Sequence, residues 1–240
     1  MLDLSILLTT YNREADCVEC LNTLVPQLTD KIEVFLLDDF HLPSERLESY
    51  CKDKGINYTH TGIQKGGKPH WRVPGFALNI GAKLSTGKTL ILGNAEMHHT
   101  SNDTVEKMQL INAPMQPIVY DQPSKSHSLL KYKSFKKLHY GYPWFMGVPR
   151  DTFFNINGYD EDFTGIGWED TDLSNRLLKI HGKIEEVNVD IIHTWNLRTL
   201  TPRADAPNIN LDLYKYNEEI FKRKLGGDII RNENKDWGIL

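Results

Sequence analysis

Apolar residues in the first part of the chain follow two alternating patterns. Short continuous apolar runs predict buried strands, and longer stretches in which apolar residues recur every three or four positions predict helices. The predicted strands cover residues 4–9, 32–37, 57–61 and 89–92, and the predicted helices cover residues 15–28, 44–54 and 73–84. This alternation is typical of a doubly wound α/β sheet, which binds ligands at the carboxyl ends of its strands.

The remainder of the chain gives a weaker pattern of the same kind. The pattern predicts helices at residues 104–111 and 211–225, strands at 117–120 and 187–192, and an aromatic, apolar segment at 142–148. We expect one domain over residues 1–197, made of a first half at 1–100 and a second half at 101–197. Residues 198–240 are expected to form a short helical C-terminal extension.

The segment between Gly158 and Leu177 is rich in acidic side chains, glycine and aromatic residues. Its last part shows helical spacing, and Gly182 stands where that helix would stop. Glu169 and Asp170 therefore fall on the first helical turn, where unpaired N–H groups and the helix dipole stabilise carboxylates. Two carboxylates there suit a general base and a hydroxyl-binding group. An acidic first turn that only caps a helix is the alternative.

Composition and charge narrow the classes of function. The chain has 240 residues, is 40% hydrophobic and 25% charged, and carries a formal net charge of −4, which does not favour nucleic acid or an anionic membrane. No apolar run approaches the roughly 20 residues of a membrane helix, and the N-terminus lacks a signal-peptide pattern. We therefore expect a soluble, cytoplasmic protein. Cys17 and Cys20 form a C-x-x-C without a second pair, which favours small residues on one helical face over a zinc site.

Four sequence blocks carry a resemblance to a known family. The blocks contain Thr10-Tyr11-Asn12-Arg13, Asp38-Asp39, Asn94-Ala95-Glu96 and Gly167-Trp168-Glu169-Asp170, each at the end of a predicted strand or the start of a predicted helix. In this order and spacing they resemble the nucleotide-sugar glycosyltransferases of the GT-A fold, above all the bacterial inverting family. The last block also resembles β-1,4-galactosyltransferases and mucin-type N-acetylgalactosaminyltransferases. The resemblance implies a Rossmann-like mixed sheet flanked by helices. It also implies that residues 1–100 are the nucleotide-binding half and residues 101–197 the acceptor or catalytic half.

The resemblance further implies a donor site at the strand ends. In the family, the end of the first strand encloses the nucleotide, and the aspartates that end the second strand contact base and ribose. The side chains that would bind the nucleotide here are Thr9, Tyr11, Arg13, Asp38, Asp39, Arg72, Asn79 and Asn94. UDP is the nucleotide that the resemblance implies, and GDP is the alternative.

One departure from the family pattern concerns the metal. The family usually has Asp-x-Asp or Asp-x-His where this chain has Asn94-Ala95-Glu96. By resemblance, Glu96 and the late His193 would hold Mn²⁺ or Mg²⁺ on the diphosphate. The alternative is that Asn94 and Glu96 bind the ribose or the sugar and that cationic side chains balance the diphosphate. The cations available for that role are Lys65, Lys68, Arg72 and Lys83.

The implied reaction is attack by an acceptor hydroxyl on the anomeric carbon of a nucleotide-linked sugar, with inversion. Asp170 matches the general base of the family, and Glu169 would bind an acceptor or sugar hydroxyl. Trp144 and Trp168 either offer flat faces to a sugar or belong to the core. The acceptor is expected to be a glycan or another hydroxyl-bearing molecule.

Two other functions stay open at this point, and a third is disfavoured. The chain could be a non-catalytic nucleotide-sugar binder, in which Asn94-Ala95-Glu96 marks lost chemistry. It could be a glycosyltransferase that acts on modified nucleic acid through the lysine-rich segment 125–137. A nucleotidyltransferase would be expected to carry a glycine-rich phosphate loop after the first strand, and Tyr11-Asn12-Arg13 is not such a loop.

Overall fold

A mixed β-sheet with helices on both faces forms the body of the protein. The structure is a computed structural model that describes residues 2–65, 68–70, 72–109, 112–121, 130–131, 145–165, 167–194 and 211–240. The strands are β1 (Leu4–Thr10), β2 (Ile32–Asp38), β3 (Asn57–His60), β4 (Ile63–Lys65), β5 (Lys68–His70), β6 (Thr89–Asn94), β7 (Met97–His99), β8 (Met115–Asp121), β9 (Leu130–Lys131), β10 (Phe145–Pro149) and β11 (Glu185–His193). The helices are α1 (Glu14–Leu24), α2 (Glu45–Lys54), α3 (Gly75–Leu84), α4 (Thr104–Lys107), α5 (Arg150–Asn155), α6 (Glu169–His181) and α7 (Leu211–Lys224).

The strand order confirms the predicted α/β class. Across the described residues, the nine-stranded sheet runs β3-β2-β1-β6-β10-β8-β11-β7, with β9 paired to β8. Strands β3, β2, β1 and β6 are parallel, which is the doubly wound half of the sheet. Strand β10 lies antiparallel between β6 and β8, and β7 is antiparallel to β11, so the sheet is mixed. Strands β4 and β5 form a separate antiparallel hairpin.

Apolar clusters cover both faces of the sheet, and β1 is therefore buried along its whole length. Leu4, Ile6 and Leu8 face one apolar cluster, whereas Leu7 faces the other, as the two-residue period of a strand requires. The first cluster is closed by α1 and α2, and the second by α3, α5 and α6. A helix on each face is the arrangement that parallel strands with apolar residues on both sides require.

Local signals set most of the helix ends. The Ser44 hydroxyl caps α2 by accepting a hydrogen bond from the Leu47 N–H at 3.1 Å, and Gly55 ends that helix with φ 68°. Gly182 ends α6 in the same left-handed conformation, as predicted. The first helix stops at Leu24, earlier than predicted, because Pro26 lacks an N–H and cannot continue an α-helix. A short 3₁₀ turn, Val25–Gln27, follows instead.

Further differences lie after β6. Helix α4 covers only Thr104–Lys107, which is shorter than predicted. Strand β7 and helix α5 were not predicted, because each is too short to show a clear period.

Helix α7 and the segment after it pack against the same body. Ile220 and Phe221 join Val73 and Phe163 in a small apolar cluster, and Trp237 lies in the cluster beneath α3 and α6. Among the residues that the structure describes, no helix has the length and apolarity needed to span a bilayer.

Candidate functional site

The carboxyl ends of β1, β2 and β6 meet at one edge of the sheet. Thr10 pairs with Asp38 across β1 and β2, and Thr9 pairs with Asn94 across β1 and β6. Both threonines are buried, and the Thr9 hydroxyl donates to the Gly93 carbonyl at 3.4 Å. The sheet topology therefore brings Thr9, Asp38 and Asn94 together at the edge where the sequence predicted a nucleotide.

Asp38 is held by a set of local hydrogen bonds. Its carboxylate accepts from the Tyr58 hydroxyl at 2.7 Å and from the N–H groups of Phe40 and Ser44 at 3.3 Å and 3.2 Å. Burial raises the pKa of Asp38, and these donors oppose the rise. A cavity of about 110 Å³ opens beside this carboxylate. Its lining residues are Asn12, Arg13, Glu14, Asp38, Phe40, Leu42, Pro43, Ser44 and Leu47.

Asp39 forms a buried ion pair with Arg72. The Arg72 Nη2 lies 2.6 Å from Asp39 Oδ1 and also donates to the Thr61 carbonyl at 2.5 Å. The Thr61 hydroxyl donates to the same carboxylate at 2.9 Å. Burial raises the pKa of Asp39 although Arg72 opposes the rise. Both of these Arg72 hydrogen bonds come from Nη2, and the buried Nε has no hydrogen-bond partner among the described residues, so the hydrogen bonds that the structure shows for Arg72 hold Asp39 in place.

Glu96 lies between two cationic or basic side chains. Arg13 Nη1 forms an ion pair with Glu96 Oε2, and His193 Nε2 lies 3.4 Å from the same oxygen. The antiparallel pairing of β7 with β11 places His193 opposite Met97 and thereby beside Glu96. The structure therefore brings together the two predicted metal ligands, which are far apart in sequence.

The third member of this group is Asn94. Its Oδ1 is buried and has no hydrogen-bond partner among the described residues, which leaves one oriented oxygen. The described residues include no cluster of three or more His, Cys, Asp or Glu side chains able to hold a metal. The donors near this edge are Glu96 and His193, which lie 3.4 Å apart, and the buried amide oxygen of Asn94, two residues before Glu96. These donors fit a divalent ion such as Mn²⁺, with the remaining positions left to phosphate and water.

Glu169 and Asp170 lie on the first turn of α6, as predicted. Trp168 precedes the helix with φ 75°, a conformation that is uncommon for a large side chain and turns the chain sharply into the helix. Glu169 is 4% exposed, and its Oε2 has no partner among the described residues. Such strained and unsatisfied features in a native fold commonly mark functional positions.

Burial raises the pKa of both carboxyl groups. Burial raises the pKa of Asp170 to about 7, and the Tyr159 hydroxyl, which approaches it, opposes that rise. Burial and the neighbouring Asp170 raise the pKa of Glu169 well above its ordinary value. Both carboxyl groups therefore hold a proton more tightly than an exposed carboxyl group does. Acids with raised pKa values are common at catalytic positions.

Trp168 packs against the C-terminal helix. Its ring stacks on Phe221 of α7 with a centroid distance of 5.1 Å and lies 5.7 Å from the Tyr214 ring. One face of Trp168 is thus covered by protein, which leaves less of the ring for a sugar than the sequence suggested. The other predicted sugar contact, Trp144, lies outside the described residues, and so does most of the lysine-rich segment 125–137.

Asn79 has a different role from the predicted one. Its side chain is fully buried, donates to the Tyr159 carbonyl at 3.0 Å and to Glu161 at 2.9 Å, and accepts from the Tyr159 N–H at 2.8 Å. Both the nitrogen and the oxygen of the Asn79 amide are therefore used within the protein. Asn79 therefore supports the loop that contains Tyr159 rather than contacting a nucleotide.

Three further residues at this edge were not predicted. Tyr58 and Thr61 hold the two aspartates, and Gly62 passes so close to Phe40 that an added Cβ would lie 1.8 Å from the Phe40 carbonyl oxygen. The signal available in the sequence was that these residues lie in or directly after β3, the strand that pairs with β2. The contact to a particular aspartate depends on strand pairing that local patterns do not reveal.

Comparison with known proteins gives two family matches. Residues 5–121 match the model described as glycosyl transferase family 2. Residues 128–199 match the model described as the N-terminal domain of galactosyltransferase. Among curated proteins, none matches the chain.

Several solved structures share the fold at low sequence identity. GalNAc-T7 with UDP, GalNAc and Mn²⁺ aligns with a TM-score of 0.64 and 15% identity over 94% of this chain and 49% of that protein. S. aureus TarS 1–349 with UDP-GlcNAc aligns with a TM-score of 0.62 and 14% identity over 95% of this chain and 68% of that protein. The mannosyltransferase PcManGT from Pyrobaculum calidifontis with GDP-Man and Mn²⁺ aligns with a TM-score of 0.57 and 15% identity over 82% of this chain and 58% of that protein. The chain spans about half to two thirds of the length of these proteins.

Proposed function

We propose that this chain, a glycosyltransferase of the GT-A fold, moves a sugar from a nucleoside diphosphate sugar to an acceptor hydroxyl with inversion. The observation that carries the proposal is the Glu169–Asp170 pair on the first turn of α6, where burial raises the pKa of Asp170 to about 7. A base with a pKa near the working pH is well matched to proton transfer.

The donor is proposed to bind at the edge formed by β1, β2 and β6. The cavity beside Asp38 would take part of the nucleoside, and Asp39, fixed by Arg72, would accept a hydrogen bond from a ribose hydroxyl. Tyr11 lies 5.3 Å from the Phe40 ring and would add an aromatic wall. UDP is the proposed nucleotide because GalNAc-T7 and TarS contain UDP or a UDP-sugar, whereas PcManGT contains GDP-Man, which keeps GDP as the alternative.

A divalent metal is proposed to be held by Glu96, His193 and the Asn94 amide oxygen, as Mn²⁺ is present in two of the related structures. When bound, the ion would stabilise negative charge on the leaving diphosphate. Arg13, paired with Glu96, supplies a fixed positive charge on the same side. Charge stabilisation of this kind is often the largest single contribution to catalysis.

The chemistry is then assigned to the two acids of α6. An acceptor hydroxyl oxygen attacks the anomeric carbon while the bond from that carbon to the diphosphate oxygen breaks. Ionised Asp170 takes the hydroxyl proton late in this step. Glu169 is assigned a hydrogen bond with a sugar or acceptor hydroxyl, which a carboxyl group can form in either protonation state.

The proposal is tested by a panel of nucleotide sugars. Binding of the correct donor raises the melting temperature, since a ligand that binds only the folded state stabilises it, and EDTA should reduce that shift. Asp170→Asn should retain donor binding and lower donor turnover about 10²–10⁴-fold, the usual contribution of a general base. Asp151 is an exposed acid on α5, so Asp151→Asn is the matched control and should change neither donor binding nor donor turnover.

The non-catalytic binder is the competing outcome. It would bind a nucleotide sugar with or without Mn²⁺ but neither transfer nor hydrolyse it. Wild-type turnover equal to that of Asp170→Asn would therefore contradict the assignment of the base.

A further inference from the structure

A buried ion-pair network joins the C-terminal segment to the acidic loop that precedes α6 and to the first turn of α6. Arg231 is 7% exposed, and its Nη2 donates to Asp172 at 2.8 Å. Its Nε lies 3.3 Å from Asp160 Oδ2. The second oxygen of Asp172 accepts from Arg176 Nε at 2.7 Å. Asp160, Asp172 and Arg176 are each at most 2% exposed, so all four charges are removed from water.

The backbone next to Arg231 follows the same loop. The Arg231 N–H donates to the Ile156 carbonyl at 3.3 Å, and the Asn157 amide donates to the Arg231 carbonyl at 2.7 Å. Asn232 then donates to the carbonyls of Asn157 and Tyr159 at 2.9 Å and 2.7 Å. Residues 231–232 therefore fix the backbone of residues 156–161, which includes the tyrosine that approaches Asp170.

Such a network is a costly way to obtain stability alone. Burying charges costs free energy even when they are paired, and apolar side chains of similar volume often stabilise a fold as well or better. What buried ion pairs with fixed hydrogen bonds provide is a defined geometry. Here the geometry relates Asp160 in the loop to Asp172 on α6, and Glu169 and Asp170 lie between these two positions.

We propose that Arg231 is a positioning residue for the reaction, because its guanidinium fixes the loop and the first turn of α6 relative to each other. The inference rests on the proposed function, in which Asp170 is the base. Arg231 acts through Asp172 and Asp160, and it sets where the carboxyl group of Asp170 stands relative to the donor. The donor-binding residues at β1 and β2 are held by other contacts, so nucleotide affinity does not depend on Arg231.

The experiment compares Arg231→Met, Arg231→Lys and Arg223→Met. Arg223 is exposed on α7 and lines the same surface cavity as Arg231, so it is a matched control that lacks the buried pairs. For each variant, UDP affinity is measured by calorimetry, donor turnover by product formation, and folding by thermal denaturation. All kinetics are recorded well below the melting temperature.

Arg231→Met is expected to lower kcat at least tenfold while the Kd for UDP stays within twofold of wild type, a loss of transition-state positioning without loss of binding. Arg231→Lys should recover part of kcat because it keeps the charge but cannot bridge both carboxylates. Arg223→Met should behave as wild type. If Arg231→Met does not fold, the Arg231→Lys variant decides by the same split between kcat and Kd.

The inference is overturned if folded Arg231→Met, or Arg231→Lys where Met does not fold, keeps wild-type kcat. It is also overturned if kcat and UDP affinity fall in equal proportion, which would indicate a general structural role. Asp170→Asn separates this failure from failure of the proposed function. If Asp170→Asn turns over normally, the proposed function fails, whereas if only the Arg231 variants do so, the positioning role alone fails.

Discussion

Asp170→Asn should make the protein more stable while it removes the activity. The substitution keeps the size and shape of the side chain and removes its charge. In the native protein, burial raises the pKa of Asp170 from 3.8 to about 7. The folded state therefore holds the Asp170 proton more tightly than the unfolded state does, and ionisation of this group above pH 7 works against folding.

The size of the effect follows from the pKa difference. A change of about three pKa units corresponds to about 4 kcal/mol, since one unit is worth about 1.4 kcal/mol. Asp170 keeps some exposure to solvent, so we expect roughly half of this value, about 2 kcal/mol, because screening reduces electrostatic energies. In a domain of this size about 1 kcal/mol shifts the melting temperature by about 2–4 °C, which gives a gain of about 4–8 °C.

The sign of the effect changes predictably with pH. Well below the unfolded pKa of 3.8 the side chain is protonated in both states, so the stability difference between wild type and Asp170→Asn vanishes there and should still be small at pH 4. As pH rises towards about 7, wild type loses stability relative to the variant, and above that value the difference stays constant. Loss of the Asp170 charge also lowers the pKa of Glu169, which adds to the gain.

Thermal denaturation of both proteins at pH 4, 6 and 8 measures this difference. Asp162→Asn is a control of opposite sign. Burial tends to raise the pKa of Asp162, but hydrogen bonds from Lys224 and Lys235 outweigh this and lower it to about 2, so removal of its charge should destabilise the protein at pH 8. An Asp170→Asn variant that is less stable than wild type at pH 8, or a gain that is the same at every pH, would refute the reasoning.

Three further predictions concern the donor edge and the cysteines. Asp39→Ala should weaken UDP binding at least tenfold by calorimetry and leave kcat at saturating donor unchanged, and a lower kcat with unaltered affinity would contradict its role. Glu96→Gln and His193→Ala should each weaken Mn²⁺ binding at least tenfold, read from the electron paramagnetic resonance of free Mn²⁺, and equal affinity in both variants and wild type would remove the metal site from this edge. Burial raises the pKa of Cys20 and Cys51 to about 12, so native protein at pH 8 should not react with a thiol-selective disulfide reagent, and rapid labelling before denaturation would show that these thiols are accessible.

The strands and helix α6 were predictable because their signals are local. Strand β1 is apolar at consecutive positions, and α6 combines helical spacing with Gly182 at its end. Strand pairing then follows from the doubly wound order, which is why Thr9, Asp38 and Asn94 meet at one edge. The family resemblance supplied roles for these residues that spacing alone does not give.

Other parts of the site depend on contacts between distant residues. Asn79 lies on a helix face that could point to a ligand or to protein, and only the packed loop around Tyr159 shows which. Arg231 stands in a polar segment without a motif, 59 positions from Asp172, so no local pattern indicates their contact. The same holds for Trp168, whose ring is covered by Phe221 of a helix predicted to belong to a separate extension.

The most direct test of the central claim is the configuration of the sugar first released from an α-linked UDP-sugar. Proton NMR in the presence of Mn²⁺ can follow the anomeric signal during slow donor hydrolysis, before mutarotation mixes the anomers. Direct attack assisted by Asp170 predicts that the β-anomer appears first and that Asp170→Asn abolishes its formation. Initial release of the α-anomer, or formation of the β-anomer at an undiminished rate by the variant, would contradict the account.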